Sequence, residues 1–167
     1  MWKKSFLCAI TALFLFASPF SAFGAGVKQV VIIDPAHGGT EDGVKVSKDT
    51  SEKDITLKIG KLIEEKLKKI QNIEPHLTRS KDLSVTIGKR REIAVQLKAD
   101  LFVSIHVNAG FGAEASGYEI YFSGFDKPSS PKESSNEIVK DMVRTQYLND
   151  SVRFSQIFEQ NFSRVFP

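Results

Sequence analysis

Two nearly unbroken apolar runs, Gln29-Val-Val-Ile-Ile-Asp34 and Leu101-Phe-Val-Ser-Ile-His106, do most to constrain the fold of this chain. Runs rich in β-branched and aromatic residues, without polar alternation, read as strands buried on both faces. A mainly parallel sheet covered by helices provides that environment, whereas a sheet with one wet face does not. Each run ends on a polar side chain, and the first breaks into a loop at Pro35-Ala36-His37-Gly38-Gly39.

The sequence between the runs supplies the helices. A polar stretch without apolar periodicity extends to Thr50. Ser51 then reads as a helix N-cap, with Asp54 three residues later completing a capping-box-like pattern. Ile55, Ile59, Leu62, Ile63, Leu67 and Ile70 follow at helical spacing and predict one apolar stripe. The Lys-rich segment from Lys61 to Lys69 is interleaved with Glu64 and Glu65 and forms the solvated side of that helix. Ile73 to Thr78 reads as a second strand and Leu83 to Lys98 as a second helix, with Ile87, Ala94 and Leu97 roughly on one side. Gly117 to Phe122 alternates as a fourth strand. This order predicts an α/β fold: a mainly parallel, mixed sheet flanked by helices in a single domain. Ser123 to Ser135 reads as a loop and Asn136 to Tyr147 as a helix. Phe154, Ile157, Phe158, Phe162 and Val165 lie on a final amphipathic helix whose aromatic stripe requires a cover.

The N-terminus is of another kind. Lys3 and Lys4 precede an apolar run from Phe6 to Ala17, and the small residues Ala22 and Gly24 bracket Phe23. This is the pattern of a secretory signal peptide over residues 1–24, with Ala25 as the mature N-terminus. The run is shorter than the ~20 apolar residues of a membrane span, so no stable span is expected after cleavage. Cys8, the single cysteine, lies inside that segment. The mature chain therefore lacks disulfides and thiolate ligands, and any metal site must use His and carboxylates. Setting Lys3 and Lys4 aside leaves 21 basic against 20 acidic side chains. With no clustered basic face, the chain is not read as a nucleic-acid binder.

Three histidines are present, His37, His76 and His106. In parallel sheets ligands gather at the carboxyl ends of the strands, which is where His37 and His106 fall. Either one alone is weak evidence; two at the same end of two strands are stronger. Glu52, at the start of the first helix, would complete a two-histidine, one-carboxylate set of the kind hydrolytic zinc sites use. It also suits the positive end of the helix dipole, and the residues alone leave both readings of Glu52 open. His76, in mid-strand after Pro75, reads as structural.

Val30-Val-Ile-Ile-Asp-Pro-Ala-His-Gly-Gly39, Ser51-Glu-Lys-Asp54, Leu77-Thr-Arg79 with Asp82, Arg90 with Ala94, and Ala99-Asp-Leu-Phe-Val-Ser-Ile-His-Val-Asn-Ala109 follow one another in order. Together they resemble the zinc-dependent N-acetylmuramoyl-L-alanine amidases, and Gly117-Tyr-Glu-Ile-Tyr121 resembles that family's next strand. The resemblance implies Zn2+ held by His37, Glu52 and His106. It also implies hydrolysis, in peptidoglycan, of the amide between N-acetylmuramic acid and L-alanine, by a protein exported to the periplasm or the cell exterior. An activator or an inhibitory helix, as such enzymes often require, is the further partner it suggests. Ala36, Glu41 and Val95 stand where the family commonly has Gly, Asp and Asn. The family's general-base glutamate has no match after Phe154, since Glu159 reads as solvent-facing and Glu119 as structural. The base is therefore expected beyond Pro167, and residues 25–167 as a catalytic domain lacking its C-terminal part. Two alternatives stand beside this reading. One is a non-catalytic, zinc-binding amidase-like module that grips peptidoglycan or a partner; the other is a zinc hydrolase of peptides or acetylated sugars.

Overall fold

The structure is a computed structural model that describes residues 28–108, 116–122 and 135–165. The signal segment at residues 1–24 and the loop read at residues 123–134 lie outside the described residues. The chain divides into two compact units, Met1–Ala109 and Gly110–Pro167.

The first unit is built on strand β1 (Gln29–Pro35), followed by the short strands β2 (Lys45–Ser47) and β3 (Thr50–Ser51). Helix α1 (Glu52–Leu67), strand β4 (Ile73–Leu77), helix α2 (Ile87–Gln96) and strand β5 (Leu101–Ile105) complete it. Strands β4, β1 and β5 form a parallel sheet in that order, with Ile32 opposite both His76 and Phe102. A central strand is hydrogen-bonded on both edges and covered on both faces. That explains why Ile32 and Ile33 are 0% and 1% exposed and why the run carries no polar alternation. Asp100 sets the start of β5 against β1: its carboxylate accepts from the Val30 amide at 2.7 Å, and its own amide donates to the Val30 carbonyl at 2.9 Å.

Helix α1 begins where the capping pattern predicts. The Asp54 carboxylate accepts from the Ser51 amide at 3.0 Å and from the Ser51 hydroxyl at 2.8 Å. The expected apolar stripe is only partly covered: Ile55, Ile63 and Leu67 are half-buried and Ile59, Leu62 and Ile70 exposed, while the fully buried positions are Glu52, Thr56 and Gly60. Their i, i+4, i+8 spacing makes one face. The reason is close approach: a Cβ at Gly60 would stand 2.8 Å from Pro35 Cγ and 3.2 Å from Leu77 Cδ2. The helix lies too near the sheet for large side chains there.

Helix α2 starts at Ile87 rather than Leu83, because Thr86 caps it by accepting from the Lys89 amide at 3.2 Å. The polar stretch before Ser51 holds a small antiparallel hairpin, β2 with β3, that periodicity does not reveal. In the second unit, residues 117–122 pair with no strand among the described residues, where a fourth strand is expected. The two expected C-terminal helices are one continuous helix, α3 (Ser135–Phe162). Tyr118 meets Phe158 and Phe162 edge-on, at ring-centre distances of 6.5 and 4.8 Å. No helix among the described residues is long and apolar enough to cross a membrane.

Candidate metal centre

The chain leaving β1 is held by its carbonyls. Arg79 Nε donates to the Pro35 carbonyl and Arg79 Nη2 to the Ala36 carbonyl, each at 2.9 Å. Arg90 donates to the Pro35 carbonyl at 3.0 Å, to the His37 carbonyl at 2.9 Å, and in a short contact to the Asp34 carboxylate. Asp34 also accepts from Thr78 and Ser104 hydroxyls. Two buried guanidiniums thus satisfy three consecutive carbonyls, Pro35 to His37, where the chain leaves the sheet. The turn needs that support. His37 has φ 60, a left-handed conformation that costs a non-glycine residue about 1–2 kcal/mol.

His37 is thereby aimed at Glu52, the first residue of α1. His37 Nε2 lies 3.1 Å from Glu52 Oε2, and His106 Nδ1, just past β5, lies 3.0 Å from Glu52 Oε1. The two imidazoles stand edge to face, with ring centres 5.4 Å apart. One ligand atom from each of the three residues falls within 4.8 Å of the others. Each oxygen of Glu52 also accepts a backbone N–H, Oε2 from Val44 at 3.0 Å and Oε1 from Val107 at 2.9 Å. Burial alone pushes the Glu52 carboxyl upward. The two amides and the neighbouring imidazoles outweigh it and hold the group below the usual glutamate range, hence ionised.

The donor set fits a divalent metal. Two neutral imidazole nitrogens and one carboxylate oxygen are what an open, hydrolytic zinc site uses, with the fourth position left to water or substrate. The Glu52 side chain is only 3% exposed, whereas those of His37 and His106 are 28% and 51% exposed, so the open side is the histidine side. A cleft of about 540 Å³ adjoins it, lined by His37 and His106 together with Glu41, Ile87, Arg91 and Phe102.

A family model for N-acetylmuramoyl-L-alanine amidases matches residues 31–167. The chain belongs to that family. AmiC of Escherichia coli, an N-acetylmuramoyl-L-alanine amidase, is 30% identical over 123 residues, which is 74% of this chain and 28% of AmiC. An uncharacterised protein of Bacillus subtilis, YqiI, is 31% identical over 167 residues, 99% of this chain and 78% of its own length. Among solved structures, the catalytic domain of the amidase CwlV from Paenibacillus polymyxa is 36% identical with a TM-score of 0.50, covering 52% of this chain and 49% of that domain. The chain thus spans about half of that solved domain and just over a quarter of AmiC.

In this amidase-family chain, His37, Glu52 and His106 come together as the sequence predicts. His76 does not join them; it sits in β4 with its Nε2 3.1 Å from Glu74 Oε1. Glu119 accepts from the Tyr121 hydroxyl at 2.7 Å, and Glu159 lies exposed on α3. The Ala36 departure is harmless to the backbone, because Ala36 is not among the residues with positive φ. Val95, another departure, is exposed on α2. Sequence reasoning missed Gly43. At φ 67, a Cβ there would stand 2.5 Å from Glu52 Oε2 and 2.7 Å from His37 Cδ2, so the position must be glycine to leave Glu52 and His37 room. Arg79 and Arg90 were visible only as matched motif positions. Nothing in their spacing announces that they bind carbonyls of the His37 turn.

Proposed function

We propose that this chain is a zinc-dependent N-acetylmuramoyl-L-alanine amidase that acts on peptidoglycan after export to the periplasm or the cell exterior. The observation that carries the reading is the convergence of His37, Glu52 and His106 in a chain that belongs to the amidase family. These three residues would hold the metal. Zinc bound there supplies Lewis-acid polarisation of the scissile carbonyl and a lowered pKa for water. The chain's own part is geometric. Val44 and Val107 amides keep Glu52 ionised and fixed, Arg79 and Arg90 hold the His37 turn, and the adjoining cleft receives the substrate beside the open histidine side. We assign no general base among the described residues.

The test is digestion of purified muropeptides by the zinc-loaded chain, followed by mass spectrometry. The expected products are free stem peptides beginning at L-alanine, lost on chelation and restored by zinc. Zinc binding and co-sedimentation with cell walls, without any released stem peptide over long incubation, would overturn hydrolysis and leave the binding-module reading. N-terminal sequencing of the exported product is expected to begin at Ala25.

A further inference from the structure

The glycine turn after His37, held by Asp82 and Ser84, is also gripped by a lysine. Lys53 follows Glu52 on α1, and its side chain is only 15% exposed. Its Nζ donates to the Gly39 carbonyl at 2.7 Å and lies 2.9 Å from Asp42 Oδ1 and 3.2 Å from Asp82 Oδ2. Asp82 closes the ring, its Oδ1 accepting from the Gly39 amide at 2.6 Å. The backbone of Lys53 joins the same segments: its amide donates to the Asp42 carbonyl at 3.2 Å, and its carbonyl accepts from Arg79 at 2.8 Å. Three stretches of chain therefore meet on this residue: the turn that carries His37, the approach to Gly43, and the loop after Arg79. An ammonium with three donors matches three acceptors spread around it, where a planar guanidinium matches them less well.

We propose that Lys53 is a positioning residue for the metal centre, holding Gly39 and Asp42, and through them His37 and Gly43, in register with Glu52. The proposal rests on the metal-centre reading above. It differs from a surface ion pair in what it predicts: exposed pairs contribute ~0–1 kcal/mol and touch no ligand, whereas a residue that orients ligands changes metal affinity ~10–100-fold.

The test measures zinc affinity by competition with a chromophoric chelator, with the visible spectrum of the cobalt-substituted chain as a second readout. Lys53→Met is expected to weaken zinc ~10–100-fold and to broaden or shift the cobalt bands. Lys53→Arg should recover part of the affinity, and Lys69→Met, which loses only an exposed pair with Glu65, should leave it at the wild-type value. Asp82→Asn should weaken zinc less than Lys53→Met, and the double substitution should cost less than the sum of the two, because both act on Gly39. Wild-type affinity within twofold in folded Lys53→Met overturns the proposal. Should Lys53→Met not fold, an unchanged affinity in Asp82→Asn overturns it instead. A wild-type chain that binds no zinc defeats the metal-centre reading itself and is a separate result.

Discussion

Helices α1 and α2 both reach β1, and they do so by opposite means. α1 comes close enough for backbone contact: Gly60 lies against Pro35, Leu77 and Ile33, Thr56 donates to the Ala36 carbonyl at 3.0 Å, and Glu52 enters the metal centre directly. α2 reaches across with one long side chain. Of its residues only Arg90 is buried, and Ile87 on the same helix is 85% exposed. One helix is attached by shape along a whole face; the other buries one charge, with Ile93 and Ala94 only half-buried beside it. Shape is intolerant of added atoms and distributes its cost over neighbours. A buried charge tolerates changes around it but not the loss of its partner.

The largest effect belongs to the cluster that the start of α1 completes with the ends of β1 and β5. His37→Ala, Glu52→Ala and His106→Ala are each expected to weaken zinc by more than ~100-fold, beyond what loss of an outer-shell partner does. His76→Ala, paired only with Glu74, should leave zinc stoichiometry unchanged by elemental analysis. Full zinc retention in any of the first three removes that residue from the ligand set. Next comes the single point that holds α2. Arg90→Met leaves the Asp34 carboxylate without its buried partner, an arrangement that typically costs ~3–5 kcal/mol. Urea unfolding measures it, and a loss below ~1 kcal/mol would show that α2 is attached by packing after all.

The two glycines give the most direct test of shape against point attachment. Gly60→Ala must displace Pro35 or Leu77 and is expected to destabilise by ~1–3 kcal/mol despite the better helix propensity of alanine. Gly88→Ala has open space, its nearest neighbour being Thr86 Oγ1 at 4.0 Å, and should stabilise by ~0.5–1 kcal/mol. Equal signs for the two would break the comparison. The smallest effect is electrostatic. Lys45, then Lys53, lower the Asp42 carboxyl from its ordinary 3.8 to about 2. A carboxyl depressed on folding contributes stability above its unfolded value, and that contribution is lost as pH falls through about 2. Asp42→Asn should therefore lower the unfolding midpoint slightly at neutral pH, flatten its pH dependence between about pH 4 and 2, and leave it unchanged below that range.

Much of the first unit was legible in the sequence because its signals are local. The run Gln29 to Asp34 had to be a covered strand, Ser51 with Asp54 had to begin a helix, and two histidines had to fall at one end of a parallel sheet. The ion pairs of the glycine turn were not legible, since Lys53 and Asp82 are 29 residues apart and no periodicity joins them. The C-terminal part was read less well. Periodicity divided α3 into two helices, although nothing in the intervening segment, such as a proline, interrupts helical hydrogen bonding. Alternation at residues 117–122 suggests a strand, but a strand requires a neighbour, and among the described residues none pairs with this segment.

The class of fold, the Ser51–Asp54 cap and the placing of two histidines at one end of the sheet were legible in the residues, because they follow from side-chain chemistry and from periods of two and 3.6 residues; Glu52 joined the histidines only through the family resemblance. The folded chain alone shows which face of α1 is buried, why position 43 must be glycine, and which groups hold Glu52 ionised. Each of those depends on distances between segments far apart in the chain. A clash at Gly60, an amide of Val107 on a carboxylate 55 residues earlier, and a guanidinium on the His37 carbonyl exist only once the chain has closed on itself.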